Sequence, residues 1–481
     1  MSTSSEKYEI IMGLETHVRI KSHTKMFCSC QNAIELADEP NIHVCPVCMG
    51  FPGMLPTLSS GVVDLAIRAS HALRGTPQLE SIFDRKSYFY PDLPMGYQIT
   101  QMYEPICQGG EVSTFVEDTL KTFRIHHMHI ENDAGKLVHA GGKTLCDYNR
   151  AGSPLMEIVT EPDFRSKADV LAYLEELQKL MRWCGASDAD MEKGQLRCDV
   201  NISIRLIGET KLRNRVELKN INSFSSIGRA IDNEYARQIE IYENGGSLDQ
   251  ETRGWNDEKG FSTPLRSKED AMDYRYFPDP DLPPLTLTQT FLDERTISEL
   301  PIDRRIKYKE TYKLIEDDAR ILSNDKTTSD FYEKLVDLTG DPKKSCSYIT
   351  TVLFAIFEAN PLKMSLSDIV SPTEEIATVI KMVNSDELSS TNSKLIIEKL
   401  VFEGGSALEW VEKLGLKQSN DTGALEKIAD EVLAAHPEQV SDYIGGKESL
   451  FGFFVGQSMK ASKGQGNPKL FTEILKKKLS K

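Results

Sequence analysis

Three segments of the chain alternate between apolar and polar residues with the two-residue period of a β-strand. They occupy residues 14–20, 127–133 and 197–203. The predicted polar faces consist of Glu15, His17 and Arg19; of His127, His129, Glu131 and Asp133; and of Arg197, Asp199, Asn201 and Ser203. A sheet built from these strands would bring carboxylates and imidazoles together over an apolar back. Such a surface suits a hard metal ion and a phosphate.

Two interpretations of these polar faces fit the pattern. The simpler one is that they face water, as the open side of an antiparallel sheet usually does. The other is a binding or catalytic surface, because a solvated face more often carries Lys, Thr and Glu than clustered His, Glu and Asp.

Helical periodicity interrupts the predicted strands and favours an α+β fold over regular βαβ alternation. The predicted helices are 63–73; 167–184, between Ser166 and Gly185; and 227–243, before Gly245 and Gly246. The segment 273–284 has too many prolines to continue a strand or a helix. Its aromatic residues predict an ordered loop that packs against the rest.

From about residue 293 onward the pattern is helical. Pro301 marks a predicted helix start, a charged and apolar pattern follows over 304–322, and Glu403-Gly404-Gly405 predicts a hinge. The predicted domains are 1–295, 296–404 and 405–481.

The composition is that of a globular protein, with 40% hydrophobic and 27% charged residues among 481. A net charge of −16 argues against a nucleic-acid-binding protein with one large basic face. No stretch approaches the roughly 20 apolar residues of a membrane span, and the first residues, MSTSSEK, lack the apolar core of a signal peptide. We therefore expect a cytoplasmic protein with no membrane partner.

Four of the nine cysteines form a CxC motif followed by a CxxC motif. The four are Cys28, Cys30, Cys45 and Cys48. Two such pairs can close on one tetrahedral Zn²⁺, and four thiolates would leave no open position, so the predicted role is structural. A redox CxxC and buried free thiols are the alternatives; the companion CxC argues against the first.

The C-terminal segment is basic in an otherwise acidic chain. Residues 440–481 contain eight lysines against three acids. Such a patch can hold phosphates, although lysines also suit the negative C-terminal end of a helix.

Two familiar catalytic motifs are absent from the sequence. Gly141-Gly142-Lys143-Thr144 resembles a phosphate-binding loop, but Leu137 occupies the position of the first glycine of that motif, so we predict a hairpin turn. No Ser-His-Asp or Cys-His constellation for glutamine hydrolysis can be identified.

Several sequence blocks together resemble one family, the B subunit of the tRNA-dependent aspartyl/glutamyl-tRNA amidotransferase. The blocks are GLETH (13–17), FDRKSYFYPD (83–92), ENDAGK (131–136), NRAGSPLMEI (149–158), LRCDVNI (196–202), DYRYFP (273–278) and GQSMKASKGQGNP (456–468). The resemblance covers nearly the whole chain and weakens over residues 345–360.

The resemblance implies a cradle-like catalytic domain with a mixed or antiparallel sheet, followed by a helical domain and a helical, tRNA-binding tail. It implies a reaction in which ATP phosphorylates the side-chain carboxylate of Glu-tRNA(Gln), and of Asp-tRNA(Asn) in many organisms. Ammonia from a separate amidase, the A subunit, then displaces the phosphate, and a small C subunit holds the two together. The implied cofactors are ATP, Mg²⁺ and a structural Zn²⁺.

The resemblance also implies roles for single residues. Glu131 and Glu157 are the expected Mg²⁺ ligands, with His17 as a ligand or orienting group. Glu15 and Asp199 would bind metal or position the nucleotide, and Arg197 and Lys219 would neutralise phosphate. Lys86 and Tyr88 would guide ammonia or meet the tRNA end. Lys460 and Lys463 would contact tRNA phosphates.

Alternatives accompany these assignments. Glu157 could be a buried acid paired with Arg150, and His127 and His129 could only face solvent. Asn132 stands where many relatives carry an acid. At the level of function, the alternatives are a non-catalytic, zinc-bearing tRNA-binding scaffold, a metal-dependent hydrolase, and the related archaeal glutamate-specific subunit, whose insertion has no room after Asp273.

Overall fold

The computed structural model describes residues 7–32, 39–266, 273–418, 421–462 and 465–480. Its strands are β1 Tyr8–Arg19, β2 Thr76–Pro77, β3 Glu80–Ser81, β4 Asp84–Ser87, β5 Tyr97–Thr100, β6 Cys107–Gln108, β7 Glu111–Val116, β8 Thr119–Asn132, β9 Lys136–Ala140, β10 Lys143–Asp147, β11 Pro154–Thr160, β12 Leu196–Leu206, β13 Val216–Lys219, β14 Glu251–Asn256, β15 Phe261–Arg266, β16 Phe277–Pro278 and β17 Leu285–Thr286.

The helices fall between and after these strands. They are α1 Ser60–Ala72, α2 Lys167–Trp183, α3 Phe224–Glu243, α4 Gln289–Asp293, α5 Pro301–Glu310, α6 Glu316–Leu322, α7 Lys326–Thr339, α8 Pro342–Ser347, α9 Phe354–Glu358, α10 Thr373–Asn384, α11 Ser390–Phe402, α12 Ala407–Lys413, α13 Thr422–Ala435, α14 Pro437–Ile444, α15 Phe451–Ala461 and α16 Pro468–Leu479. A π-helical segment, Tyr348–Leu353, joins α8 to α9. Within the described residues, no helix is long and apolar enough to cross a membrane.

The main sheet confirms the α+β fold class. Over the described residues its strand order is β15-β14-β13-β12-β1-β11-β8-β6-β2, with β7 also paired to β8. Its pairs are antiparallel except for β13 with β14, so the sheet is mixed. The helices α2 and α3 pack against strands of this sheet.

The predicted alternation is present in β1, where burial alternates along the strand. Leu14, Val18 and other back-face residues are 0–1% exposed, while His17 on the front remains partly accessible. Because a slip of one residue would turn the front side chains into this core, the core determines the register.

The predicted helices of the sheet region are also confirmed, with shifts of one to three residues at some of their ends. The Ser166 hydroxyl accepts a hydrogen bond from the Asp169 amide at 3.1 Å at the start of α2. The helix ends at Trp183 and is followed by Gly185 with a left-handed φ of +74°. Gly141 and Gly142, both with positive φ, form the predicted hairpin turn between β9 and β10.

The proline-rich segment 273–284 is described throughout and packs, as its aromatic residues predict. It contributes β16, which pairs with β4. Arg85 donates to Asp279 at 2.9 Å, and the Tyr274 ring meets the Tyr88 ring edge-on with centroids 6.0 Å apart.

The chain forms two compact units, Met1–Ile302 and Asp303–Lys481. In the second unit, one core cluster runs from Tyr308 to Val411 and another from Leu425 to Leu479. The first of these extends past the predicted hinge, since Ala407 is fully buried in it. The two predicted domain boundaries stay predictions.

The helical pattern predicted over 304–322 is interrupted in the structure. α5 ends at Glu310 and α6 begins at Glu316, with Lys313 between them at a φ of +56°. No Gly or Pro marks this break in the sequence, which is why periodicity alone missed it.

Candidate active site

Four titratable side chains meet on the front of the main sheet. His17 Nε2 lies 3.2 Å from Glu157 Oε2 and 3.7 Å from Glu131 Oε1. His129 Nε2 lies 3.4 Å from Glu157 Oε2 and 3.5 Å from Glu131 Oε2. We call these four residues the carboxylate–histidine cluster.

Strand pairing explains why the cluster forms. β11 lies between β1 and β8 in the sheet, and its Glu157 is paired across the strands with His17 on one side and with His129 on the other. Thr100 at the end of β5 donates its hydroxyl to Glu131 at 3.2 Å and orients that carboxylate.

The cluster is electrostatically coupled. Burial opposes the charge of His17, but the hydrogen bond and charge of Glu157, with the charges of Glu131 and Asp199, raise its pKa to about 9. Burial likewise opposes the charge of His129, whose pKa the same two glutamates raise to about 9. The two histidines in turn hold the pKa of Glu157 well below its ordinary value, against its burial.

A magnesium ion fits this donor set. One ligand atom each from His17, Glu131 and Glu157 lie within 4.8 Å of one another. Ligands at the Mg²⁺ distance of about 2.1 Å would be separated by roughly 3 to 4 Å. Two carboxylates are the typical protein contribution to a Mg²⁺ site, whereas imidazole is a less usual ligand.

A second acidic group lies beside the cluster. Ligand atoms of Glu15, Asp199 and Glu217 also lie within 4.8 Å of one another. Lys219 Nζ lies 2.5 Å from Asp199 Oδ2 and 2.9 Å from Glu217 Oε1, so a cation of the chain itself already neutralises part of this group. Burial raises the pKa of Glu15, with contributions from Glu157 and Glu217.

The two groups border a cleft of about 630 Å³. Its lining includes the basic side chains of Arg19, Lys86, Arg197 and Lys219 beside the acids. Lys86 is half-buried, and its partial burial opposes the charge, but the charge of Glu131 raises its pKa, so it is a cation that faces the carboxylates. Acids that can hold a metal and bases that can neutralise phosphate therefore share one cavity.

The cysteine motifs converge in a loop of the same unit. The sulfurs of Cys28, Cys30, Cys45 and Cys48 lie within 4.8 Å of one another, and we call them the four-cysteine cluster. A tetrahedral ZnS₄ centre with Zn–S near 2.3 Å needs sulfurs about 3.8 Å apart, so zinc fits this donor set. A hydrogen bond from Cys28 lowers the pKa of Cys48 to about 5.

Most sequence-predicted site residues thus lie on one face or in one loop of the first unit. The sheet front and its cleft carry Glu15, His17, Lys86, Glu131, Glu157, Arg197, Asp199 and Lys219. Lys460 is exposed near the end of α15 in the second unit. Lys463 lies outside the described residues.

Two alternatives from the sequence are wrong. Arg150 pairs with Asp133 at 3.3 Å, and Glu157 pairs with the two histidines instead. His129 does not simply face solvent, since it is 8% exposed and contacts both glutamates.

Sequence reasoning left His129 and Glu217 out of the site. Strand alternation does place His129 on the same polar face as Glu131, but it assigns His129 no role, because that role depends on Glu157 of the neighbouring strand. Glu217 belongs to the short pattern VELK beside β12, where its front-facing position depends on a strand pairing that the sequence does not reveal.

Comparisons with known proteins point to one family. A family model described as the GatB/GatE catalytic domain matches residues 10–293, and one described as the GatB domain matches residues 330–479. A protein from Persephonella marina is 45% identical, with 98% of this chain and 100% of that protein covered. Proteins from Gloeothece citriformis and Syntrophotalea carbinolica are 43% and 42% identical, each over at least 98% of both chains. All three relatives carry the name of the B subunit of aspartyl/glutamyl-tRNA(Asn/Gln) amidotransferase.

Proposed function

The chain belongs to the GatB family, and from that premise we propose that it activates the side-chain carboxylate of an amino acid attached to tRNA. The substrates are Glu-tRNA(Gln) and Asp-tRNA(Asn), and the products are Gln-tRNA(Gln) and Asn-tRNA(Asn). The chain acts as the B subunit of an aspartyl/glutamyl-tRNA(Asn/Gln) amidotransferase, together with an amidase (the A subunit) and a small C subunit.

Activation is needed because a carboxylate is a poor acyl donor. A carboxylate oxygen of the substrate attacks the terminal phosphorus of ATP, and the bond from that phosphorus to the bridging oxygen breaks to release ADP. Ammonia from glutamine hydrolysis on the amidase then attacks the carbonyl carbon of the acyl phosphate. Inorganic phosphate leaves and the amide remains.

The observation that carries this proposal is the convergence of two carboxylates and an imidazole from three strands. Glu131 and Glu157 would hold Mg²⁺, with His17 as a ligand or orienting group. A bound Mg²⁺ would screen the repulsion between ATP phosphates and the substrate carboxylate.

The charged residues of the cleft divide the remaining tasks. Arg197 and Lys219 would neutralise phosphate, and Glu15 and Asp199 would bind metal or position the nucleotide. His129, held against both glutamates, would orient them. Lys86, at the same cavity, would guide ammonia or meet the aminoacyl end of the tRNA beside Tyr88.

Two further parts of the chain would serve structure and substrate binding. The four-cysteine cluster would hold a structural Zn²⁺ that fixes the loop of residues 28–48. The tail, residues 405–481, would contact tRNA phosphates; exposed Lys460, together with Lys463, is expected at that contact.

The test uses the reconstituted heterotrimer with Glu131→Gln and Glu157→Gln, two near-isosteric changes that remove a charged ligand. We expect tRNA-dependent ATP hydrolysis to fall by at least about 100-fold in each, because a lost carboxylate costs several kcal/mol of charge stabilisation. Glu240→Gln, on an exposed position of α3, is the matched control and should turn over normally.

Normal ATP turnover in both variants would refute the assignment of these glutamates. The scaffold alternative predicts that the wild-type complex binds tRNA but shows no Mg²⁺-dependent ATP binding by this chain. The hydrolase alternative predicts turnover without tRNA or partner subunits.

A further inference from the structure

A fully buried lysine lies behind the four-cysteine cluster. Lys25 is 0% exposed, and its Nζ lies 3.7 Å from Cys48 Sγ and 3.2 Å from the carbonyl oxygen of Tyr148. Over the described part of the chain, no carboxylate forms an ion pair with it. A buried ammonium is costly unless an anion faces it. Of its two neighbouring acceptors, only the sulfur can carry a negative charge.

The sulfur of Cys48 is placed as an acceptor. Besides Lys25, the backbone amide of Cys45 approaches it at 3.2 Å, and the Cys45 carbonyl oxygen lies 3.5 Å from the same sulfur. Two N–H donors on one sulfur can hold it in the orientation that a metal ligand needs. Four thiolates around a divalent ion carry an excess of negative charge, which a buried ammonium would offset.

The backbone holds Lys25 and Cys48 together. Gly152, with a φ of +85°, lies against both: a Cβ at this position would lie 3.4 Å from Cys48 Cβ and 3.6 Å from Lys25 Cδ. The Met26 amide donates to the Gly152 carbonyl at 2.9 Å. Gly152 belongs to the turn that leads into β11, so the lysine, the sulfur and this turn form one packed contact.

We propose that Lys25 is the charge-compensating partner of the metal-loaded four-cysteine cluster. Its buried ammonium contacts the Cys48 sulfur and orients it toward the metal. Lys25 is a positioning residue, because it acts on the metal through Cys48. The inference rests on the zinc part of the proposed function and is independent of phosphoryl transfer.

The test compares zinc retention by the full-length chain and its variants. Lys25→Met removes the charge at nearly constant volume, and Lys25→Gln keeps a donor without the charge. Lys21→Met is the matched control, an exposed lysine four positions earlier that pairs with Asp188. Zinc content is measured by mass spectrometry of the metal, and zinc affinity by competition with a chromophoric chelator.

We expect Lys25→Met to weaken zinc binding by about 10- to 100-fold, the usual effect of losing a group that supports a metal ligand. Lys25→Gln should lie between Lys25→Met and wild type, and Lys21→Met should match wild type. Thermal unfolding gives a second readout. Lys25→Met should lower the midpoint of the zinc-loaded protein more than that of the zinc-free protein, because the four-thiolate centre carries the larger excess of negative charge.

Zinc retention by Lys25→Met equal to that of Lys21→Met would overturn the inference. So would an equal loss of thermal stability with and without zinc, because that result assigns Lys25 to packing. If Lys25→Met fails to fold, wild-type zinc affinity in Lys25→Gln would overturn the inference and a loss would support it. A wild-type chain that binds no zinc would refute the zinc assignment itself. Failure of the zinc assignment can therefore be told apart from failure of the role proposed for Lys25.

Discussion

Two candidate metal sites of the first unit, the four-cysteine cluster and the carboxylate–histidine cluster, are built in opposite ways. The four-cysteine cluster takes all its ligands from residues 28–48. The carboxylate–histidine cluster takes its residues from β1, β8 and β11, which are far apart in sequence. The first site is therefore encoded in local spacing, and the second in strand pairing.

This difference determines what each site contributes. Four thiolates would close the coordination sphere of a zinc ion, so the sulfur site can only support structure. The carboxylate–histidine cluster opens onto a cleft of about 630 Å³, so a metal there retains room for phosphate and substrate. The local site is suited to stability and the long-range site to chemistry.

The largest expected effect tests the sulfur site. Cys48→Ser should weaken zinc binding by at least about 100-fold, roughly 3 kcal/mol, because one of four anionic ligands is lost. The thermal midpoint of the first unit should fall with it. The measurements are metal content and calorimetry of the full-length chain.

Cys146→Ser is the matched control, since Cys146 is partly buried near the same loop but outside the cluster. It should retain zinc. If Cys48→Ser keeps wild-type zinc affinity, the four-cysteine cluster is not the zinc site.

The sequence predicts the sulfur site and each strand face separately, but not how the faces meet. Alternation places His17, Glu131 and Asp199 on polar fronts because a strand has a strict two-residue period. The neighbour order of β12, β1, β11 and β8 results from long-range packing, which a single sequence does not encode locally.

β11 shows this limit most clearly. Its sequence PLMEIVT is mostly apolar, and Glu157 is the one charged residue in a strand that joins both halves of the cluster. For the same reason His129 went unassigned: its role depends on Glu157, which pairs with it across the sheet.

A smaller effect concerns the charge of the carboxylate–histidine cluster. The folded-state pKa values of His17 and His129 are both raised from about 6.5 to about 9. Their protonation stabilises the fold fully below pH 6.5, and this contribution is lost as the pH rises through 9. In magnesium-free buffer we expect stability to fall by about 1–3 kcal/mol between pH 6.5 and 9.5.

This pH dependence can be followed by tryptophan fluorescence during urea unfolding. A Trp410→Phe background leaves Trp183 and Trp255, which both belong to the first unit. His129→Gln should flatten the pH dependence, whereas His139→Gln, on the exposed hairpin strand β9, should not. A profile as steep in His129→Gln as in wild type would contradict the coupling.

The smallest expected effect comes from a substitution of Asn132, which neighbours Glu131 in β8 but lies on the opposite face of the strand. Asn132 is 2% exposed, and its Oδ1 accepts the Ile99 amide at 2.7 Å, away from Glu131 and the cleft. Asn132→Ala would leave that buried amide without a partner, so we expect a stability loss of about 1–2 kcal/mol. Its tRNA-dependent ATP hydrolysis per folded molecule should change by less than about 10-fold, or 1.4 kcal/mol. The opposite result would be unchanged stability with a loss of hydrolysis of about 100-fold, the loss expected of Glu131→Gln. That result would place the Asn132 side chain at the metal. It would contradict the assignment of one face of β8 to catalysis and the other to structure.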